Sequence, residues 1–170
     1  MTDRPVLRGE RVTVRPMTAD DVEPVAAIVV KPGVREWWPE AGDPQRLREG
    51  LGPDDDTFAI EVDGRLVGWL AKTEELDPDW KYASLDISLD PEHTGRGIGP
   101  EALRLVIDWL VAEHGHHRFT IDPATTNERA IRAYASVGFR PVGVQRKCER
   151  LPAGGWRDGL LMDLLADELP

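Results

Sequence analysis

His93-Thr-Gly-Arg-Gly-Ile-Gly99 lies between a strand-like run, Tyr82 to Leu89, and a helix-like run from Pro100. A glycine-rich turn from strand to helix is an anion-binding device. Without Cβ atoms the chain takes positive φ and passes close to a ligand, while the free amides of the first helical turn point at it. The expected ligand is phosphorylated. Two common patterns do not fit. A dinucleotide-binding Gly-x-Gly-x-x-Gly fails because position 102 is Ala, and the ATPase loop fails because the chain has no Gly-Lys pair.

Working outward, Leu85, Ile87 and Leu89 alternate with Ser84, Asp86 and Ser88, which predicts a strand with Asp86 on its polar face. Leu103, Val106, Ile107, Leu110 and Val111 form a helical stripe ending near His114-Gly115. Arg118 to Ile121 reads as a strand parallel to the previous one, because a helical crossover connects parallel neighbours. Asp122-Pro123 ends it. Asn127 caps a helix carrying Ala130, Ile131, Tyr134 and Val137, Gly138 closes that helix, and Phe139 to Arg146 and Leu160 to Leu164 read as closing strands. Upstream, Val12 to Arg15 is a strand, and Thr18-Ala-Asp-Asp21 resembles a capping box leading into Val22, Val25, Ala26 and Val29. Pro32-Gly33 breaks that helix, a loop holds Trp37 and Trp38, and a weak helical stretch covers Pro44 to Gly50. Phe58, Ile60 and Val62 alternate, Asp63-Gly64 supplies a type I′ turn, and Leu66 to Ala71 returns as the second strand of a hairpin.

The 170 residues suit one domain, taken as 1–170, with no linker or repeat. One cysteine, Cys148, excludes an intrachain disulfide and suits a reducing compartment; it reads as structural or incidental. No signal-like or membrane-length apolar run is present, so a cytoplasmic protein is expected, with no membrane partner. The net charge of −10 argues against nucleic-acid binding and for a cationic partner. Asp54 to Asp56 reads as a solvated face, whereas Glu74, Glu75, Asp77 and Asp79, followed by Asp86, Asp90 and Glu92, flank the central strand and are placed to steer a polyamine.

This order of elements resembles the GNAT superfamily of N-acetyltransferases, on the strength of Leu85-Asp-Ile-Ser-Leu89 and Thr94-Gly-Arg-Gly-Ile-Gly99. The family loop is Gln/Arg-x-x-Gly-x-Gly/Ala; Gly97 and Gly99 match it, and Thr94 departs at the first position. Val14-Arg-Pro-Met-Thr18, Val34-Arg-Glu-Trp-Trp38 and Asn127-Glu-Arg-Ala-Ile-Arg-Ala-Tyr134 further resemble aminoglycoside 6′-N-acetyltransferases. The resemblance implies an α/β (α+β) fold, a mixed sheet of six to seven strands with splayed central parallel strands and about four helices. It implies acetyl-coenzyme A as co-substrate and a primary amine as acceptor, on a monomer or homodimer.

It also assigns roles. The coenzyme's pyrophosphate is expected on Thr94 to Gly99, meaning Thr94, Gly95, Arg96, Gly97, Ile98 and Gly99. Its pantetheine is expected along Ile87, Ser88 and Leu89. Asn127 has two readings, a bond to the pantetheine or a plain helix cap. Asp86 is either the proton acceptor or amine-orienting group, or a strand Asp satisfied by neighbouring side chains; a carboxylate with a pKa of ~4 is a poor base for an ammonium, so in the first role it works through water or by alignment. Tyr134 is either the donor to the departing thiolate or core packing. Asp122 binds a substrate ammonium or shapes the Asp-Pro turn. Trp37 and Trp38 are a substrate lid or a hydrophobic plug. Asp79, Trp80 and Asp158 are further substrate-binding candidates, with Trp80 a platform on an acidic rim. Direct transfer in a ternary complex is expected, because no covalent nucleophile stands out. Other acceptors, namely another polyamine or a protein amino group, remain open, as does a non-catalytic acyl-coenzyme A-binding module. His114, His116 and His117 lie at a helix end and turn without a nearby cysteine or glutamate constellation, and the usual zinc spacings are absent, so no metal is expected.

Overall fold

Asp63 and Gly64 both take positive φ, 51° and 74°, and fold the predicted hairpin at the expected place. The computed structural model describes residues 4–52, 56–151 and 153–169; Asp54 and Asp55, read above as a solvated face, lie outside the described residues. One mixed sheet contains β1 (Leu7–Arg8), β2 (Thr13–Pro16), β3 (Thr57–Val62), β4 (Arg65–Glu75), β5 (Tyr82–Leu89), β6 (Arg118–Ile121), β7 (Arg140–Arg150) and β8 (Trp156–Leu165). Its spatial order is β1-β2-β3-β4-β5-β6-β8-β7, with eight strands rather than six to seven. The additional strand is β1, whose two residues are too few to show a pattern. Helices α1 (Val22–Val29), α2 (Pro44–Gly50), α3 (Ile98–His114) and α4 (Glu128–Val137) flank the sheet. Among the described residues no helix is long and apolar enough to cross a membrane.

The crossover through α3 makes β5 and β6 parallel, and they pair only at Ala83↔Phe119 and Ser84↔Thr120. Beyond Ser84 the two strands part. On its other side β5 stays in register with β4 through Gly68↔Leu89. The main chain from Leu85 to Leu89 therefore has one ladder and one open side.

Alternation on β5 points its side chains to two faces of the sheet, each with a core cluster of its own. Leu85 packs with Leu103, Val106, Ile107 and Phe119 beneath α3. Met17, Val25, Val29, Leu47, Leu51 and Trp69 form a second cluster beneath α1 and α2. The face predicted to be polar is covered only in part: Ser88 is buried, Ser84 half-buried and Asp86 exposed. Burying each large apolar side chain contributes about 1.5–3 kcal/mol, so both layers hold the strand in place.

The helix after the glycine turn starts at Ile98, two residues before the expected Pro100. Gly97 has φ 77°, which brings the chain into the helix from the left-handed region; Pro100 is then in the first turn, where its missing amide costs nothing. Asp21 anchors the start of α1. Its carboxylate accepts from Thr18 N and Oγ1 at 2.8 and 2.9 Å and takes a bidentate bond from Arg15 at 2.7 and 2.8 Å. Those donors hold its pKa down at about 2.

Candidate active site

Where β5 and β6 part, a cleft of about 550 Å³ opens between the end of β5, the glycine turn, the end of β6 and α4. Of the residues expected for the coenzyme, Ile87, Ser88, Leu89, Thr94, Gly95, Gly97, Ile98, Gly99 and Asn127 line it. Of those expected for catalysis or acceptor binding, Asp86, Tyr134, Asp122, Trp37 and Trp38 line it as well.

The turn is built for an anion. Gly95 and Gly97 take φ of 73° and 77°. Among the described residues, none of the amides of Gly95, Arg96 and Gly97 donates to another main-chain carbonyl. The loop is held instead by its carbonyl side: Arg11 Nη1 donates to Arg96 O at 2.5 Å. Glu101, in the first turn of α3, in turn accepts from Arg11 Nε at 3.0 Å and from the amides of Arg11 and Val12 at 2.8 and 3.2 Å. A Cβ at Gly97 would stand 2.8 Å from Arg11 Nη2, so a side chain there displaces the arginine.

The side chain of Arg96, the expected cation, is not part of the cleft wall; Arg129 and Arg132 on α4 are. Arg129 spans the mouth, with long bonds of 3.4 Å to Thr94 Oγ1 and 3.4 Å to Gly33 O. Sequence reading missed both arginines, although their i, i+3 spacing places them on one helix face. Asn127 caps α4, its Oδ1 accepting from Ala130 N at 3.2 Å.

At the other end of the cleft the charges are negative. Burial, and next the charge of Glu149, push the Asp122 carboxyl above the usual range. Burial and the charges of Asp86 and Asp122 push the Tyr134 phenol far above its ordinary value, so it stays protonated. The segment carrying Trp37 and Trp38 crosses the cleft as a strap. Lys31 pairs with Asp90 at 2.5 Å at one end, and Arg157 donates to Glu36 O and Trp37 O at 2.6 and 2.8 Å at the other. Arg157 also pairs with Glu149 and lies 5.7 Å from the centre of the Trp37 ring. Trp38 packs edge-on against Trp69, centroids 5.1 Å apart.

Asp79, Trp80 and Asp158 are not in the cleft wall. Asp79 and Trp80 precede β5, whereas the cleft opens at its far end, and an eight-residue strand spans roughly 25 Å. Trp80 is 75% exposed. Asp158 accepts the amide of Lys147 at 2.7 Å within the β7–β8 hairpin.

The near end of β5 corrects another expectation. Glu74 lies beside the histidines after all: its Oε1 meets His114 Nδ1 at 2.7 Å and His116 Nε2 at 2.6 Å, and its Oε2 accepts from Lys72 at 2.7 Å. The three ligand atoms lie close enough together to be a candidate metal group. The contacts have hydrogen-bond length, shorter than the ~3.3 Å between ligands on a tetrahedral ion with ~2.0 Å bonds, and the Lys72 ammonium occupies the remaining oxygen. The carboxylate is a saturated hub, and its pKa falls to about 2 because the bonds from Lys72, His114 and His116 outweigh burial. Burial lowers the pKa of His116.

The fold is that of a GNAT acetyltransferase. The family model described as Acetyltransferase (GNAT) domain matches residues 11–140, and the chain belongs to that family. It is similar to N-alpha-acetyltransferase RimI of Mycobacterium tuberculosis, 31% identical over 149 residues, covering 84% of this chain and 87% of that protein. A second relative, probable N-acetyltransferase YjcK of Bacillus subtilis, is 30% identical over 103 residues, which is 61% of this chain and 56% of that protein; the match spans about half of the relative's length. Among solved structures, Mycobacterium smegmatis RimJ in complex with CoA-disulfide superposes with a TM-score of 0.79 at 25% identity, covering 94% of this chain and 84% of that one. Aminoglycoside acetyltransferase AAC(6')-Ib, solved with ribostamycin and coenzyme A, superposes at 0.76 with 20% identity, covering 94% and 96%, a likeness of fold.

Proposed function

We propose that this protein transfers the acetyl group of acetyl-coenzyme A directly to a cationic primary amine, with the 6′-amine of aminoglycosides as the leading acceptor. One observation carries this reading: a single cleft joins the glycine turn, with its undonated amides, to a wall containing Asp86, Asp122 and Tyr134. The pyrophosphate rests on the amides of Gly95 to Gly99 with Arg129 above it, and the pantetheine runs along the open side of Ile87 to Leu89. The fit is chemical as well as spatial, because unused amides and two arginines meet a polyanion.

Asp86 aligns the ammonium and takes its proton through water, leaving a neutral amine to attack the thioester carbonyl. The C–N bond forms as the C–S bond breaks. Tyr134, held protonated by its surroundings, gives its proton to the departing thiolate and regains one from the acetylated nitrogen, which sheds its second proton to become the amide. Asp122, with Glu149 nearby, attracts the acceptor's remaining positive charge.

A second reading is acetylation of a protein's amino terminus, favoured by the likeness to RimI across most of both chains. Thiol release from acetyl-coenzyme A, measured with aminoglycosides, aliphatic polyamines and basic or neutral peptides, separates the two. Turnover of aminoglycosides alone is the expected outcome. Turnover of peptides with inert aminoglycosides assigns the second reading, and coenzyme binding without release for any amine leaves only a binding module.

A further inference from the structure

The register of β4 and β5 sets Trp69 opposite Ser88 and Ala71 opposite Asp86. Directly opposed residues of an antiparallel pair project to the same face, so Trp69, Asp86 and Ser88 share one face of the sheet. Two of the three carry an unmet polar atom. Ser88 Oγ and Trp69 Nε1 are buried and have no hydrogen-bond partner among the described residues. Both side chains belong to residues only 5% exposed, and Ser88 nevertheless forms part of the cleft wall. Trp69 is not itself in the cleft wall; it packs edge-on against Trp38, which is.

Buried hydroxyl and indole N–H groups are normally satisfied, and an orphaned pair beside a cleft marks a place where a ligand completes the bonding. An indole N–H only donates, whereas a hydroxyl donates or accepts. The atom that satisfies both is an acceptor oxygen. A strand rises roughly 3.3 Å per residue, so Ser88 stands about 7 Å from Asp86 along the same face.

We infer that Ser88 and Trp69 form an oxygen-binding subsite, which selects amines carrying an ether, hydroxyl or carbonyl oxygen a few bonds from the nitrogen held at Asp86. This rests on the acetyltransfer reading and deepens it. Amino sugars and peptide termini carry such an oxygen; bare aliphatic polyamines do not.

The test uses 3-methoxypropylamine and its carbon isostere n-pentylamine, comparing thiol release with acetyl-coenzyme A for the native chain, Ser88→Ala and Trp69→Phe. The native chain is expected to favour the ether by about tenfold in kcat/KM, on the scale of a hydrogen bond made or missed. Each substitution removes at least fivefold of that preference, read as the ratio of kcat/KM for the ether to that for pentylamine, whatever change in rate the two amines share through the pantetheine that Ser88 adjoins. Ser88→Ala is expected to melt no lower than the native chain, because it removes an unpaired buried hydroxyl. A binding readout stands apart from turnover: the Trp69 indole N–H resonance, assigned by its loss in Trp69→Phe, shifts with the ether and not with pentylamine. Equal use of the two amines, or parallel loss on both, overturns the subsite. An indole resonance indifferent to the ether overturns it even if no amine is acetylated, whereas the acetyltransfer reading falls only if thiol release is absent throughout.

Discussion

The two ends of the central strand handle polar groups in opposite ways. At the end near Tyr82, one carboxylate oxygen of Glu74 serves two histidines and the other serves Lys72. Near Leu89, Ser88 Oγ and Trp69 Nε1 are buried without partners, and the turn that follows has undonated amides. The Glu74 carboxylate is fully paired within the chain, although His116 Nδ1 beside it is buried without a partner; what distinguishes Ser88 is that its unmet group lies in the cleft wall, where a ligand can reach it. Perturbed carboxylates and unmet buried groups occur at both ends, so position in the cleft wall, rather than the pKa, separates structure from chemistry.

Four substitutions or conditions bear on that contrast. Asp86→Asn is expected to lower kcat by about 10²–10³ with no change in melting temperature; a normal kcat removes the catalytic role from the cleft end. Glu74→Gln should behave the opposite way. It strips the partly buried hub of its charge and is expected to cost about 2–3 kcal/mol, or roughly 5–10 °C in Tm, while the folded fraction keeps its kcat. A fall in kcat at full stability would erase the distinction between the ends.

Acidification should weaken the hub. The folded pKa of Glu74, about 2, lies below its unfolded value, so its contribution is complete above the unfolded carboxylate range and is lost as pH falls toward 2. His116 is also lowered, so its neutral form is favoured by folding, and stability declines as pH drops below the unfolded histidine value near 6.5. Denaturant midpoints should hold from pH 8 to about 6.5, fall below that with His116, and fall again from about pH 4.5 toward 2 with Glu74; only the last loss is absent in Glu74→Gln. The smallest effect is expected at the cleft mouth. Arg129→Gln should raise the KM for acetyl-coenzyme A about five- to tenfold with kcat nearly unchanged, the scale of one charge-assisted hydrogen bond.

Periodicity carried most of the architecture. Tyr82 to Leu89 and Arg118 to Ile121 are strands at the expected bounds, because their apolar spacing is intrinsic to the chain. β7 and β8 run longer than read, to Arg150 and from Trp156, since their outer halves are charged and bulged rather than alternating. The burial of Ser88 was not legible, because alternation shows which side chains share a face and not whether another layer lies over part of it. The residues gathered at the cleft were legible largely through motif and resemblance. Pairings across the fold were not: nothing local ties Glu74 to His114 and His116, some forty residues on, or Arg129 to Gly33. Asp79 and Trp80 show the converse, since nearness in sequence to a strand's start says nothing about its other end.

The outer edge of β7 has a consequence for life in a crowded solution. As the last strand in the sheet it pairs only with β8, and it is exposed along nearly its whole length. Such an edge invites another copy to add on. Here Pro141 offers no amide, Lys147 turns the backbone to φ 49°, and the register breaks at Pro141/Gly143 and Gln145/Glu149. Arg140, Arg146, Lys147 and Arg150 against the single Glu149 give the edge a positive charge in a chain whose net charge is −10. Two such edges meet bent, out of register and like-charged, so the protein carries its own defence against runaway sheet growth at the strand most open to it.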